Sequence, residues 1–172
     1  LVYQFYIYQN NKKILKLSIL YDQAKSNIDS FEFNQIMNTI VKEKGFYGML
    51  ASLELIKNKL TNNNYEEAYL DYLNLLNKKE KSNIYRSIIA LHGSYNLLDK
   101  VSSENIEILL TYIDENLESF IGYRYEILYL LSVKDNNHQE KKVLFNKILE
   151  HEQISASIKD RIQKINEFEK YK

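Results

Sequence analysis

Asn62-Asn63-Asn64-Tyr65-Glu66-Glu67-Ala68-Tyr69-Leu70-Asp71-Tyr72-Leu73-Asn74-Leu75-Leu76 and Asp135-Asn136-Asn137-His138-Gln139-Glu140-Lys141-Lys142-Val143-Leu144-Phe145-Asn146-Lys147-Ile148-Leu149 lie 73 positions apart and have nearly the same layout. Each opens on a polar turn, continues with an acidic first helical turn, and then runs apolar at matched places. The matches are Leu70 with Val143, Tyr72 with Phe145, Leu75 with Ile148 and Leu76 with Leu149. Half that separation is close to the roughly 34-residue period of helix–turn–helix arrays. A third copy fits between them, at residues 103–116. The pattern predicts an all-α repeat array and points to binding rather than catalysis.

Three helix pairs follow from this register: residues 46–61 with 65–77, 83–98 with 103–116, and 119–134 with 138–151. Four columns then align across the pairs: Leu60, Leu97 and Val133; Tyr72, Leu109 and Phe145; Leu75, Tyr112 and Ile148; Leu76, Ile113 and Leu149. Ala68, Tyr72, Leu75, Leu76, Leu109, Ile113, Phe145 and Leu149 are therefore expected in the core, because an array buries its core by stacking such columns. A last stripe of Ile154, Ile158, Ile162, Ile165 and Phe168 is expected to cap the array. About nine helices in antiparallel pairs, stacked right-handed, are expected in all.

Ahead of the pairs, Ile14, Leu17, Tyr21, Ala24 and Ile28 alternate steps of three and four, the stripe of one long helix. A second helix carries Phe33, Ile36, Met37, Ile40 and Val41, with Asp29 or Ser30 as its N-cap and Gly45 at its close. Residues 1–44 are thus expected as an N-terminal helical pair and 45–172 as the array. The chain opens on Leu1 rather than Met, which predicts sequence upstream. Its start, Leu1-Val2-Tyr3-Gln4-Phe5-Tyr6-Ile7-Tyr8, is too short to cross a bilayer, which takes about 20 residues. It fits the exit of a transmembrane helix with aromatic rings at the interface, or equally an ordinary amphipathic helix.

Composition removes several functions. The 23 basic residues balance 23 acidic ones, without the basic excess that nucleic-acid binding needs. No cysteine is present, which excludes disulfides, thiolate metal sites and cysteine nucleophiles. No proline and only four glycines argue against an all-β or loop-rich fold. The surplus of Lys, Asn, Ile and Tyr fits the coding bias of an AT-rich genome and is not read as a functional signal.

At this register the chain resembles the tetratricopeptide repeat. Residues 63–68, Asn-Asn-Tyr-Glu-Glu-Ala, stand where that family places its inter-helix turn, and Ala68 stands on its small residue. The pattern is divergent: the small residue becomes Asn105 and Lys141, and the aromatic of the first helix becomes Lys59, Asn96 and Ser132. The aromatic start, the long helix, residues 45–53 (Gly-Phe-Tyr-Gly-Met-Leu-Ala-Ser-Leu) and the capping helix together resemble a narrower family. These are the membrane-anchored periplasmic tetratricopeptide-like proteins that include the ancillary subunit of the bacterial Sec translocon. The resemblance implies an inner-membrane anchor upstream of Leu1, an array on the periplasmic side, and protein–protein contact in translocation or chaperoning. It implies no catalytic residues.

The residues carry no recognisable catalytic or metal-binding pattern. His92 falls on an apolar column with Leu55 and Leu128 and is expected as a packed core histidine; His138 opens a helix; His151 sits between Glu150 and Glu152 near a helix end. Adjacent helical residues point apart and do not converge on a metal. Glu66, Glu67 and Glu104 occupy first helical turns, where acids favour the helix dipole. No nucleophile elbow or catalytic triad order is present. No enzyme activity, metal or cofactor is expected. The partners expected are other proteins or extended peptides, along a groove lined by the first helices of the pairs. Its candidates are Leu50, Ser87 and Tyr123, then Leu53, Ala90 and Glu126, then Lys57, Ser94 and Leu130. If neighbouring helices fold back, these residues are core instead. A helical sensor domain for a peptide or small ligand, a cytoplasmic adaptor, and a homo-oligomer are the alternatives.

Overall fold

The computed structural model describes residues 2–26, 31–78 and 82–171. Among these the chain forms nine α-helices and a closing 3-10 turn, with no strand. It divides into two compact units, Leu1–Glu80 and Lys81–Lys172. Ile28 and the expected N-caps Asp29 and Ser30 lie outside the described residues.

The first unit holds α1 (Val2–Ser26), α2 (Phe31–Ile40), α3 (Phe46–Thr61) and α4 (Tyr65–Leu76). Only the C-terminal half of α1 is packed. Leu17 and Ala24 are buried with Phe33, Met37 and Ile40 of α2 and Ala51 of α3. The 33, 37, 40 spacing puts one stripe of α2 inward, as the helical period requires. Glu54 of α3 fastens α1 from the side, accepting from the Tyr21 hydroxyl at 3.0 Å and from Lys25 Nζ at 2.8 Å. Burial and this bond push the Tyr21 phenol up to about 12. Burial alone would raise the Glu54 carboxyl. The bonds from Lys25 and Tyr21, with the charges of Lys25 and Lys57, outweigh it and hold the group below its ordinary range.

The α2–α3 connection departs from expectation. The α2 helix ends at Ile40, and its last carbonyls are taken up by a tightened turn in which Glu43 N–H donates to Ile40 O at 2.9 Å. Gly45, at φ 94°, opens α3 rather than closing α2. That φ strains any side chain. Three residues on, a Cβ at Gly48 would overlap the Glu43 carbonyl oxygen, so the two glycines allow α3 to start against the preceding backbone.

In the second unit, α5 (Asn83–Leu97) and α6 (Ser103–Leu110) form one hairpin, α7 (Glu118–Lys134) and α8 (His138–Glu150) another, and α9 (Ala156–Phe168) follows. Ser82 and Ser102 cap α5 and α6 by accepting from the N–H three residues on. The α6 helix stops well short of the expected residue 116. The chain beyond it is held as a turn: Asp114 N–H donates to Ser87 Oγ at 3.0 Å, and the Asp114 carboxylate accepts from Asn116 N–H at 3.0 Å. The α7 helix touches α5, α6, α8 and α9, which accounts for its lack of a single polar face. Small Gly122 lets α9 come close; a Cβ there would lie 2.9 Å from Ile158 Cδ1. Tyr129, Leu144, Ile148, Ile154, Ile158 and Ile162 form the core between α7, α8 and α9.

The two quoted stretches share more than sequence. After α3, Asn63 N–H donates to Leu60 O at 3.1 Å and Asn64 N–H to Lys59 O at 2.9 Å. After α7, Asn136 N–H donates to Val133 O at 3.2 Å and Asn137 N–H to Ser132 O at 2.8 Å. Both are Schellman turns, with Asn63 at φ 60° and Asn136 at φ 54° as their left-handed residues. The register holds in the core as well. Ala68, Tyr72, Leu75, Leu76, Leu109 and Ile113 are buried, and Phe145 and Leu149 half-buried. Leu70 and Val143 match each other too, but both face outward.

Candidate functional site

The expected groove is only partly open. In α3, Leu50 and Leu53 are half-buried and Lys57 is exposed; in α7, Tyr123 is exposed and Leu130 half-buried. Ser87, Ala90, Ser94 and Glu126 are buried, and so do not line an open groove. Small Ser87, Ala90 and Ser94 disappear where α5 packs on α6 and α7. Glu126 is covered by α9. Its side chain is 5% exposed and is forked by Arg161, Nε to Oε1 and Nη2 to Oε2, both at 2.8 Å. The Tyr95 hydroxyl donates to the same carboxylate at 2.7 Å. Burial, then this bond, raises the Tyr95 phenol, and the Glu126 bond raises the Arg161 guanidinium. These groups form a clasp across α5, α7 and α9, with both oxygens of the buried carboxylate held by charge-assisted bonds.

The first unit carries a cleft of about 510 Å³ on another face. The α2 helix supplies Asn34 and Asn38, α3 supplies Asn58 and Lys59 with its C-cap Asn62, α4 supplies Asp71, Asn74 and Leu75, and Lys78 stands just beyond α4. Val41, Leu55 and Ile56 extend its apolar floor. Lys59 is neutralised within the wall by Asp71 at 2.8 Å and Glu67 at 3.3 Å; the Asp71 bond keeps its ammonium pKa raised. Asn62 Nδ2 donates to Asn58 Oδ1 at 2.7 Å. Asn34, Asn38 and Asn74 have no side-chain partner among the described residues. Apolar periodicity does not mark this site, and its asparagines fit the coding bias of the whole chain. Their spacing was the available signal: 34 and 38, like 58 and 62, fall one turn apart on a single helical face.

The histidines are dispersed. His92 of α5 is exposed rather than in the core as expected, though partial burial of its ring lowers its pKa. His138 is exposed at the start of α8; His151 Nδ1 accepts from Gln153 N–H at 3.3 Å. Among the described residues no three acids or histidines are grouped to hold a metal ion. Tyr3, Phe5, Tyr6, Ile7 and Tyr8, in the first turns of α1, are 39–75% exposed. Among the described residues no helix is long and apolar enough to cross a membrane. Set against protein-family models, curated proteins and solved structures, the chain matches none of them.

Proposed function

We propose that the protein is a non-enzymatic scaffold that binds other proteins, built as a divergent tetratricopeptide-like superhelical array. The observation that carries this reading is the repeated hairpin: one Schellman turn and one set of core columns recur 73 residues apart. Repetition of a helical hairpin extends a surface for contact rather than enclosing a reaction centre. Lys57 and Tyr123 are the expected groove residues that stand most open, and a rigid ring such as Tyr123 gains contact area at little entropic cost. In this reading, which follows what the sequence resemblance implies, the scaffold sits in a bacterial envelope, held by a membrane span ahead of α1 and engaged in translocation or chaperoning. The exposed aromatic turns of α1 suit a bilayer interface.

The same implication has the array on the periplasmic side. Lys12, Lys13 and Lys16, close behind the aromatic turns, favour a second reading with the array on the cytoplasmic face, since basic flanks are retained there. The chain has no cysteine, so Lys57→Cys offers a single thiol for a membrane-impermeant maleimide; labelling of intact spheroplasts supports the periplasmic side, and protection supports the cytoplasmic one. The scaffold itself is tested by crosslinking and affinity capture from native membranes. Specific partners should be recovered, fewer of them with Tyr123→Ala or Lys57→Glu. Recovery of the same proteins with both variants and with an unrelated helical control would refute the scaffold reading.

A further inference from the structure

We infer that the cleft between α2 and α4 takes an uncharged, extended polypeptide segment and holds it by its main chain. The inference rests on the scaffold reading and names the ligand chemistry of one surface. A side-chain amide carries a donor and an acceptor in one plane and pairs with a peptide group through both. Asn34 and Asn38 on one wall, and Asn74 on the other, leave these groups without partners among the described residues. Four residues of helix advance about 6 Å, close to the two-residue repeat of about 6.6 Å in an extended chain. Asn34 and Asn38 are therefore spaced to meet alternate peptide groups on one edge of such a chain.

The remaining lining narrows the ligand. No aromatic side chain lines the cleft, which removes the stacking platform that a sugar or nucleobase uses. Lys59 is spent on Asp71 and Glu67, and Lys78 at the rim is then the one cation of the lining unpaired among the described residues, so no cluster of cations is left for a phosphate. Half-buried Val41 and Leu55 form an apolar floor, backed by the sealed Ile56 and Leu75. It suits the apolar side chains that alternate along one side of an extended strand. A volume of about 510 Å³ falls in the range of ordinary ligand sites and holds a few residues.

The test is an NMR titration of the whole chain with synthetic peptides of about twelve residues alternating Ser or Thr with Val. Companion peptides carry N-methyl groups on alternate amides, or Asp and Lys in place of the hydroxyl residues. The Asn34, Asn38 and Asn74 side-chain NH2 signals should move with the uncharged peptide. N-methylation, or the double variant Asn38→Ala/Asn74→Ala, should weaken binding about tenfold or more, a loss of about 1.4 kcal/mol or more. Both residues are exposed, and an unchanged helical circular dichroism spectrum verifies that the variant is folded. Binding indifferent to N-methylation overturns main-chain recognition. Shifts confined to Leu53, Lys57 or Tyr123 overturn the cleft while leaving the scaffold standing. No binding by any peptide overturns the inference, and the membrane capture experiment then decides the scaffold separately.

Discussion

The α3–α4 and α7–α8 hairpins turn on the same two hydrogen bonds and the same left-handed asparagine, yet their surroundings differ in kind. Leu53 in α3 and Glu126 in α7 hold equivalent places in the register. The first is a half-buried apolar residue; the second is a buried carboxylate locked to Arg161. The α9 helix lies against α7 and α8, and its arrival converts an outward face into core. In the first unit, the face of α3 between α2 and α4 remains an open polar cleft. The difference teaches that the turn fixes the hairpin, and the next helix to land decides which face is left for a ligand.

Removing core from one hairpin gives the largest expected effect. Leu76 is fully buried, so Leu76→Ala should cost about 2–5 kcal/mol in chemical denaturation. Val143→Ala, at the outward-facing matched position, should stay within about 0.5 kcal/mol. A Leu76→Ala loss below about 1 kcal/mol would break the shared register.

Opening the clasp comes next. Arg161→Ala strands the Glu126 carboxylate in the core, which costs about 3 kcal/mol, the low end of the range because Tyr95 still donates to it. Glu126→Gln should cost less, since Arg161 is 48% exposed and can turn to water. The reverse order in urea unfolding would mean that burial of Glu126 is not what holds α9.

The turns themselves give a smaller signal. Asn136→Ala should destabilise by about 1 kcal/mol and Asn136→Gly should be neutral or slightly stabilising, because only glycine occupies the left-handed region without a steric penalty. The same pair at Asn63 should behave alike. Asp99→Gly, in the α5–α6 link, should only lose stability, as Asn63 and Asn136 are the described non-glycine residues with positive φ. Thermal melts of the variants decide this.

The smallest effect is in pH. The folded Glu54 carboxyl is held below its ordinary range, so its contribution is present above the unfolded pKa and is lost as pH falls through the folded one. Stability measured downward from neutral pH should therefore fall less steeply in Glu54→Gln than in the parent. An identical slope would show that the Lys25 and Tyr21 contacts do not hold α1 to α3.

Much of this architecture was legible in local pattern. The α3 boundaries, the buried columns at Tyr72, Leu76 and Leu109, and the turns at Asn63 and Asn136 follow from spacing and from turn chemistry confined to a few neighbouring residues. What spacing could not supply is the identity of the helix lying on a given face. Ser87, Ser94 and Glu126 read as groove because periodicity marks a helix face without naming its cover. The early end of α6 was hidden for a related reason: Ser87, far away in sequence, takes the Asp114 N–H. The cleft needed three helices to bring its asparagines together.

The contrast between an open and a sealed face is most directly measured by solvent paramagnetic relaxation, with a neutral gadolinium chelate added to the isotopically labelled protein. The side-chain amides of Asn34, Asn38 and Asn74 should broaden strongly, while the backbone amides around Glu126 and Ile127 stay sharp. Protected asparagine amides, or broadening equal to theirs along the Glu126 face of α7, would contradict the assignment of the first unit's cleft as the face left open for a partner.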